Sequence, residues 1–338
     1  MVGFPGSEMS ENQPICRDIV EYGLGGVILF NRCLHTPSLP ANISSAGQLQ
    51  QLCRWLQELS GQTLLIGVDQ EGGSVRRLRP EAGFADICSA REMGGLGSDT
   101  SGTKKAARTT AAMLKDAGFS CNFAPVVDIN YRADNPVIGA MNRSFSDDPG
   151  LVVSHAEAWI IEHRKRGIIS CVKHFPGHGS SAADSHAGFV DITDVWDESE
   201  LIPYRELHRR KLIDAVMTGH LFNRRIDPDY PATMSNRTIN GLLRTEIGYD
   251  GVVFSDDLQM RAITDRYPFE EAVCRTLAAG VDILVFGNNL DYDPVVCPKA
   301  IDALKAGIEK GLIAEKQVKN ALRRVRNLKQ AIREHARS

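Results

Sequence analysis

The residues able to do chemistry are concentrated in one stretch, Lys173-His174-Phe175-Pro176-Gly177-His178-Gly179-Ser180-Ser181-Ala182-Ala183-Asp184-Ser185-His186. A lysine, three histidines and an aspartate stand there among glycines and a proline, which set backbone shape rather than fill a core. The stretch follows an apolar run, Ile168-Ile169-Ser170-Cys171-Val172, that reads as a buried strand. A polar loop of fixed shape at the end of a strand is where a rigid scaffold carries reactive groups. Asp184 and His186, two residues apart, can hydrogen-bond, the carboxylate orienting the imidazole and raising its proton affinity.

A second set closes another apolar strand, Gly251–Asp256, with Asp257 next to it. Side chains alternate along a strand, so only one of these neighbouring aspartates can readily face a common site. The other is free to cap a helix or to join an ion pair. Carboxylates brought from separate elements to the two sides of a sugar linkage are the equipment of glycoside hydrolysis. Other chemistries fit less well. His174 and His178 are four apart, but Pro176 between them breaks any helix that would align them, and neither HExxH nor a CxxC pair occurs, so no metal is expected. A serine hydrolase would need GxSxG, which is absent.

These groups must be held by a scaffold, and the chain of 338 residues alternates short apolar runs with amphipathic segments throughout. The strand candidates are Met1–Phe4, Gly26–Phe30, Leu64–Asp69, Cys121–Asp128, Ile168–His174, Ala215–His220, Gly251–Asp256 and Asp282–Phe286. Near-continuous apolar runs suit parallel strands covered on both faces. Helical patterns fall at Ser45–Ser60, Ser101–Ala117, Gly150–Arg166, Glu198–Lys211, Asn236–Glu246 and Phe269–Ala279, with Asp148-Pro149 a ready N-terminus for the third and Gly167 its stop. From Pro298 to about Arg337 runs a long helical pattern, or a helix pair broken near Gly311. Its basic residues, Lys319, Arg323, Arg324, Arg326 and Lys329, surround a stripe of Val318, Leu322, Val325 and Leu328, which predicts a solvated face packed on the domain. The longest irregular stretches are Arg32–Ile43 and Leu78–Thr100.

Five candidate strands end in ionisable groups: Asp69 and Glu71, Asp128, Lys173 and His174, His220, and Asp256 and Asp257. Ionisable residues from several strand ends on one rim are the pattern of a (β/α)8 barrel active site. A doubly wound dinucleotide fold would instead carry GxGxxG after its first strand, and it does not occur. We therefore expect an α/β chain forming one TIM-like (β/α)8 barrel domain over residues 1–338, with the helical segment from about 298 packed on it. A net charge of -3 gives no reason to expect nucleic acid or an acidic membrane surface as partner. No apolar run approaches the roughly 20 residues that span a bilayer. The opening Met-Val-Gly-Phe-Pro-Gly shows no signal-peptide pattern, and the eight cysteines are scattered, several within apolar runs, so a cytoplasmic chain with buried reduced thiols is expected.

Taken together, Lys173-His174-Phe175-Pro176-Gly177-His178-Gly179, Asp184-Ser185-His186 and Phe254-Ser255-Asp256-Asp257-Leu258-Gln259-Met260 resemble glycoside hydrolase family 3. More narrowly, the chain is similar to the bacterial β-N-acetylglucosaminidases of peptidoglycan recycling. Gly67-Val68-Asp69-Gln70-Glu71-Gly72-Gly73, Asn122-Phe123-Ala124-Pro125-Val126-Val127-Asp128 and Arg143-Ser144-Phe145-Ser146 add to the likeness, which runs through nearly the whole chain. The resemblance implies a retaining double displacement with Asp256 as nucleophile and His186, assisted by Asp184, as acid/base. It places Asp69, Arg77, Arg143, Lys173 and His174 at the sugar, and implies a monomer that needs no cofactor and takes N-acetylglucosamine-containing muropeptides. The pattern departs in three places: the family carries a helix and further strand residues ahead of Met1-Val2-Gly3-Phe4, Gly139-Ala140-Met141-Asn142-Arg143 is two residues longer than the usual Gly-x-Arg, and Ser74 stands where arginine is common after the glycine pair. A β-glucosidase or a glycoside phosphorylase of the same family, and a non-catalytic sugar-binding protein, are the alternatives. The last has no use for an intact Asp256, Asp184 and His186.

Overall fold

The computed structural model describes residues 1–34 and 41–335. Eight parallel strands, β1 (Val2–Gly3), β2 (Gly26–Ile28), β3 (Leu65–Val68), β4 (Cys121–Asn122), β5 (Ile169–Phe175), β6 (Ala215–Thr218), β7 (Val252–Asp257) and β8 (Ile283–Val285), lie side by side in chain order. A bridge between Val2 and Phe286 joins the last strand to the first. Between successive strands run α1 (Pro14–Val20), α2 (Ala46–Ser60), α3 (Ser101–Ala117), α4 (Pro149–Arg164), α5 (Ile202–Arg209), α6 (Arg237–Glu246, wound as a π-helix) and α7 (Phe269–Ala279), while α8 (Val296–Glu309) and α9 (Glu315–His335) follow β8. This is the expected (β/α)8 barrel.

The strands form where the apolar runs were read, because both of their faces are covered. All seven residues of β5 are buried: Ile169 and Cys171 join Phe123, Met217 and Phe254 inside the barrel, whereas Val172 and Phe175 pack with Trp159 and Tyr204 of the helical layer. The paired ladders are shorter than the apolar runs. β4 stops at Asn122 rather than Asp128, since Pro125 has no N–H to donate, although Val127 N–H still reaches the Lys173 carbonyl at 2.9 Å. Caps set the helix starts. Ser45 Oγ accepts from Gln48 N–H at 3.2 Å, and Asp148 Oδ1 accepts from Gly150 and Leu151 N–H at 2.6 and 3.0 Å, with Pro149 opening the turn.

The tail departs from its expected face. Its break falls at Gly311, where φ is +72°. α9 lies across the N-terminal ends of the strands, with Leu328 and Val325 packed into the barrel-interior cluster. The inward line is Val318, Ala321, Val325 and Leu328; Leu322, a step off it, is 49% exposed. Arg324 is not solvated, because Asp250 takes its Nε at 2.7 Å and the buried Asp282, at the foot of β8, takes its Nη1 at 3.1 Å. Part of the Arg32–Ile43 loop and the tail beyond residue 335 lie outside the described residues. All eight cysteines are free, seven buried and Cys88 exposed. Among the described residues no helix is long and apolar enough to cross a membrane.

Candidate active site

The C-terminal strand ends converge on one rim, and the first group there is an ion network. Lys173 projects from β5 with Nζ 2.8 Å from Asp69 Oδ1 and 2.8 Å from Glu71 Oε1, both just past β3. Arg77 Nη2 reaches Asp69 Oδ2 at 3.3 Å. Arg143 grips Glu71 with two parallel bonds, Nε to Oε2 and Nη2 to Oε1, each 2.8 Å, and gives Nη1 to the Val137 carbonyl. Burial alone would raise the Glu71 carboxyl, but Arg143 and Lys173 outweigh it and hold it at about 2. Asp69 is likewise lowered against its burial by Lys173 and Arg77. A buried network of this kind is stable only with its partners complete.

The second group is the polar stretch 173–186, which includes the end of β5 and the loop after it. Its peptides Lys173–His174 and Phe175–Pro176 are cis. Asp128 accepts the N–H groups of His174 and His178 at 3.1 and 2.9 Å through Oδ1, and contacts His174 Nδ1 at 2.7 Å through Oδ2. Gly179 is required by close approach, because a Cβ there would collide with the Ile129 carbonyl. Beyond Ser181 the loop becomes exposed at Ala182 and Ala183, then folds at Asp184, whose Oδ1 accepts His186 N–H at 2.8 Å and contacts His186 Nδ1 at 2.9 Å. The His186 ring is half exposed. Burial would lower its proton affinity, but the bond to Asp184 and the charge of Asp256 prevail and raise it above that of a free imidazole. The three histidines thus take separate partners: His174 rests on Asp128, His178 Nδ1 on Ser181 Oγ at 2.6 Å, and His186 on Asp184.

The third group ends β7. Asp257 turns its Oδ1 to Gly287 and Gln259 N–H at 2.9 and 3.0 Å, tying β8 to β7. Asp256 accepts from Asp257 N–H at 2.8 Å. Burial pushes Asp257 up to about 6, and its negative neighbour adds to the rise. Asp256 is pushed the other way: burial would raise it, but His220, His174 and His186 outweigh this and keep it below the ordinary carboxylate range. His220 is itself fixed, with Nδ1 2.9 Å from Thr233 Oγ1 and Nε2 2.8 Å from the Asp257 carbonyl. Both adjacent aspartates line one cavity, so the expected alternation does not turn Asp257 away from it: the register of β7 against β8 shifts between Phe254 and Asp257. The two differ instead in that Asp257 is tied to backbone N–H groups and raised while Asp256 is lowered.

Asp256 and His186 line the same cavity, about 110 Å³, together with Asp69 and Arg77. Phe30, Met260 and Leu290 give it an apolar side. Asp184 stands behind His186, and Lys173 behind Asp69. His174 and Arg143 do not line the cavity; Arg143 Nη2 lies 3.4 Å from His174 Nε2, and its Nε and Nη1 bond to Glu71 and the Val137 carbonyl. Sequence reasoning had placed Glu71 and Asp128 only as strand-end polar residues, although they hold Arg143, Lys173 and His174. Their signal was their place immediately after an apolar run.

A carboxylate held below its ordinary range and an imidazole of raised proton affinity, facing one cavity on a barrel rim, are groups of the kind that glycoside cleavage uses. The chain belongs to the glycosyl hydrolase family 3: the model of that family's N terminal domain matches residues 4–328. It is 40% identical to beta-hexosaminidase LpqI of Mycobacterium tuberculosis over 252 residues, 72% of this chain and 63% of that one. It is 34% identical to a beta-hexosaminidase of Alkalilimnicola ehrlichii over 306 residues, covering 88% and 82%. Among solved structures, a glycoside hydrolase family 3 beta-N-acetylglucosaminidase from Paenibacillus sp. str. FPU-7 superposes with a TM-score of 0.88 at 34% identity, over 98% of this chain and 61% of that one. The chain thus spans less than two thirds of the length of LpqI and of the Paenibacillus enzyme.

Proposed function

We propose that this chain is a retaining, exo-acting β-N-acetylglucosaminidase that releases terminal N-acetylglucosamine from muropeptide fragments of peptidoglycan. The observation that carries the reading is the cavity shared by Asp256, at the end of β7, and His186, on the loop after β5, which are pushed toward opposite protonation states. The names of the relatives support the sugar. In the first step Asp256 attacks the anomeric carbon as the glycosidic C–O bond breaks, and His186 gives its proton to the departing oxygen. In the second, His186 takes a proton from water, the water oxygen bonds to the anomeric carbon, and the ester to Asp256 breaks. Nδ1 being engaged by Asp184, Nε2 is the nitrogen that exchanges the proton. Asp69 accepts from sugar hydroxyls and Arg77 donates to sugar oxygens, while Lys173, His174 and Arg143, behind the cavity wall, complete the substrate-binding set through their bonds to Asp69, Asp128 and Glu71. The reaction runs on side chains alone, in a monomer.

The test compares aryl β-glycosides. Purified protein is expected to release nitrophenol from the N-acetylglucosaminide far faster than from the glucoside, at a rate independent of added phosphate. A requirement for phosphate would instead establish a phosphorylase, and no turnover of either glycoside would overturn the enzymatic reading.

A further inference from the structure

Residues 177–180 sit on a side chain that the reaction above leaves unused. Glu200 lies within the short turn Glu198–Leu201 ahead of α5 and is 1% exposed. Its Oε2 accepts Gly179 N–H at 2.9 Å, and its Oε1 accepts the Ser180 hydroxyl. Gly177, at φ +124°, lies so close that a Cβ there would stand 2.6 Å from both Cβ and Oε2 of Glu200. On the opposite side Asp128 holds His178 N–H at 2.9 Å, and Asn135 Nδ2 donates to the His178 carbonyl at 2.7 Å. The chain leaves this seat and becomes exposed within two residues of Ser180. Its next backbone bond to another strand's connection is at Ser185, whose carbonyl accepts from Ala262 N–H at 3.3 Å. The position of His186 therefore depends on how residues 177–180 are held.

We propose that Glu200 is a positioning residue for proton transfer: by seating Gly179 and Ser180 it fixes where the loop departs, and so holds His186 at the cavity opposite Asp256. The inference rests on the acid/base reading of His186. Burial, reinforced by the charge of Asp128, raises Glu200 to about 8, so it carries a proton through neutral pH. The protonated form keeps both bonds, its O–H donating to Ser180 Oγ and its carbonyl oxygen accepting from Gly179 N–H. Glutamine reproduces that pattern with its amide group, whereas alanine leaves the Gly179 N–H buried without an acceptor.

The experiment measures kcat/KM of the whole chain on aryl β-N-acetylglucosaminides with a good leaving group, dinitrophenol, and a poor one, phenol. Because an acid catalyst supplies about 10²–10⁴-fold where the leaving group needs a proton, Glu200→Ala is expected to lose about 10–100-fold on the phenyl glycoside and about threefold or less on the dinitrophenyl one. Glu200→Gln is expected to stay within about threefold of the parent on both, and Ser180→Ala, which deletes a single bond, to lose about three- to tenfold on the phenyl glycoside alone. Equal losses on both substrates in Glu200→Ala, or in Ser180→Ala if the former does not fold, would overturn the proposal, as would failure of glutamine to rescue. His186→Ala runs beside them: equal losses in that variant overturn the acid/base reading itself. A steep leaving-group dependence in His186→Ala without one in Glu200→Ala overturns only the role of Glu200.

Discussion

One oxygen of Asp184 engages His186 twice, at the backbone N–H at 2.8 Å and at the ring Nδ1 at 2.9 Å. Main chain and imidazole are thereby locked to each other, and the ring nitrogen left for chemistry is determined by the loop's own fold. The same bond raises the proton affinity of the ring against its burial.

A pH profile follows from that direction of shift. With His186 as the proposed proton donor of the first step, kcat/KM is expected to hold below its raised pKa and to fall as pH rises through it. Asp184→Asn replaces the carboxylate whose bond does most of the raising, so the falling limb is expected to move to lower pH. A limb that stays in place would show that Asp184 does not tune the ring.

The adjacent aspartates should fail differently. Asp256→Ala is expected to lower kcat on the order of 10⁴-fold or more with little change in stability. Asp257→Ala strands the N–H groups of Gly287 and Gln259 and is expected to destabilise the fold by about 1–3 kcal/mol. Paired kinetics and denaturant unfolding check both, and matching profiles for the two variants would refute the division.

Much of this arrangement was legible in the sequence, and the exceptions share a cause. The strands could be read because burial on both faces leaves runs such as Ile168–Val172, and Asp256 could be read because it ends one. Glu200 could not: it flanks the stripe of Leu201, Tyr204 and Leu207 as a solvent-facing glutamate would, and is buried only because residues 177–180 fold over it. Arg324 was misplaced for the same reason, its partner Asp282 lying at the foot of a strand 42 residues away. Periodicity reports which face of an element is apolar, not which distant segment covers its polar side.

The ion network gives a stability prediction. Arg143→Ala leaves Glu71 buried without its two-bond partner and is expected to cost about 3–5 kcal/mol. A denaturant midpoint that barely moves would show that Lys173 alone suffices for Glu71.

Stability should also depend on pH through Glu200. Its folded pKa of about 8 stands above the unfolded value near 4.5, so the folded state holds the extra proton; that contribution is complete below about 4.5 and is lost as pH rises through 8. The fall amounts to roughly a few kcal/mol, and Glu200→Gln, which cannot ionise, is expected to flatten it in unfolding curves taken across that range.

Asp256 stands on a strand clamped on both sides within the barrel, whereas His186 stands on a loop secured by a handful of polar bonds. On the proposed mechanism the two halves of the reaction are therefore expected to separate under mutation. Changes within 182–189 alter the proton's delivery, and with it which aglycones can depart, while attack on the sugar keeps its geometry. Exchanging that segment between members of the family is a route to new leaving-group preferences on an unaltered barrel.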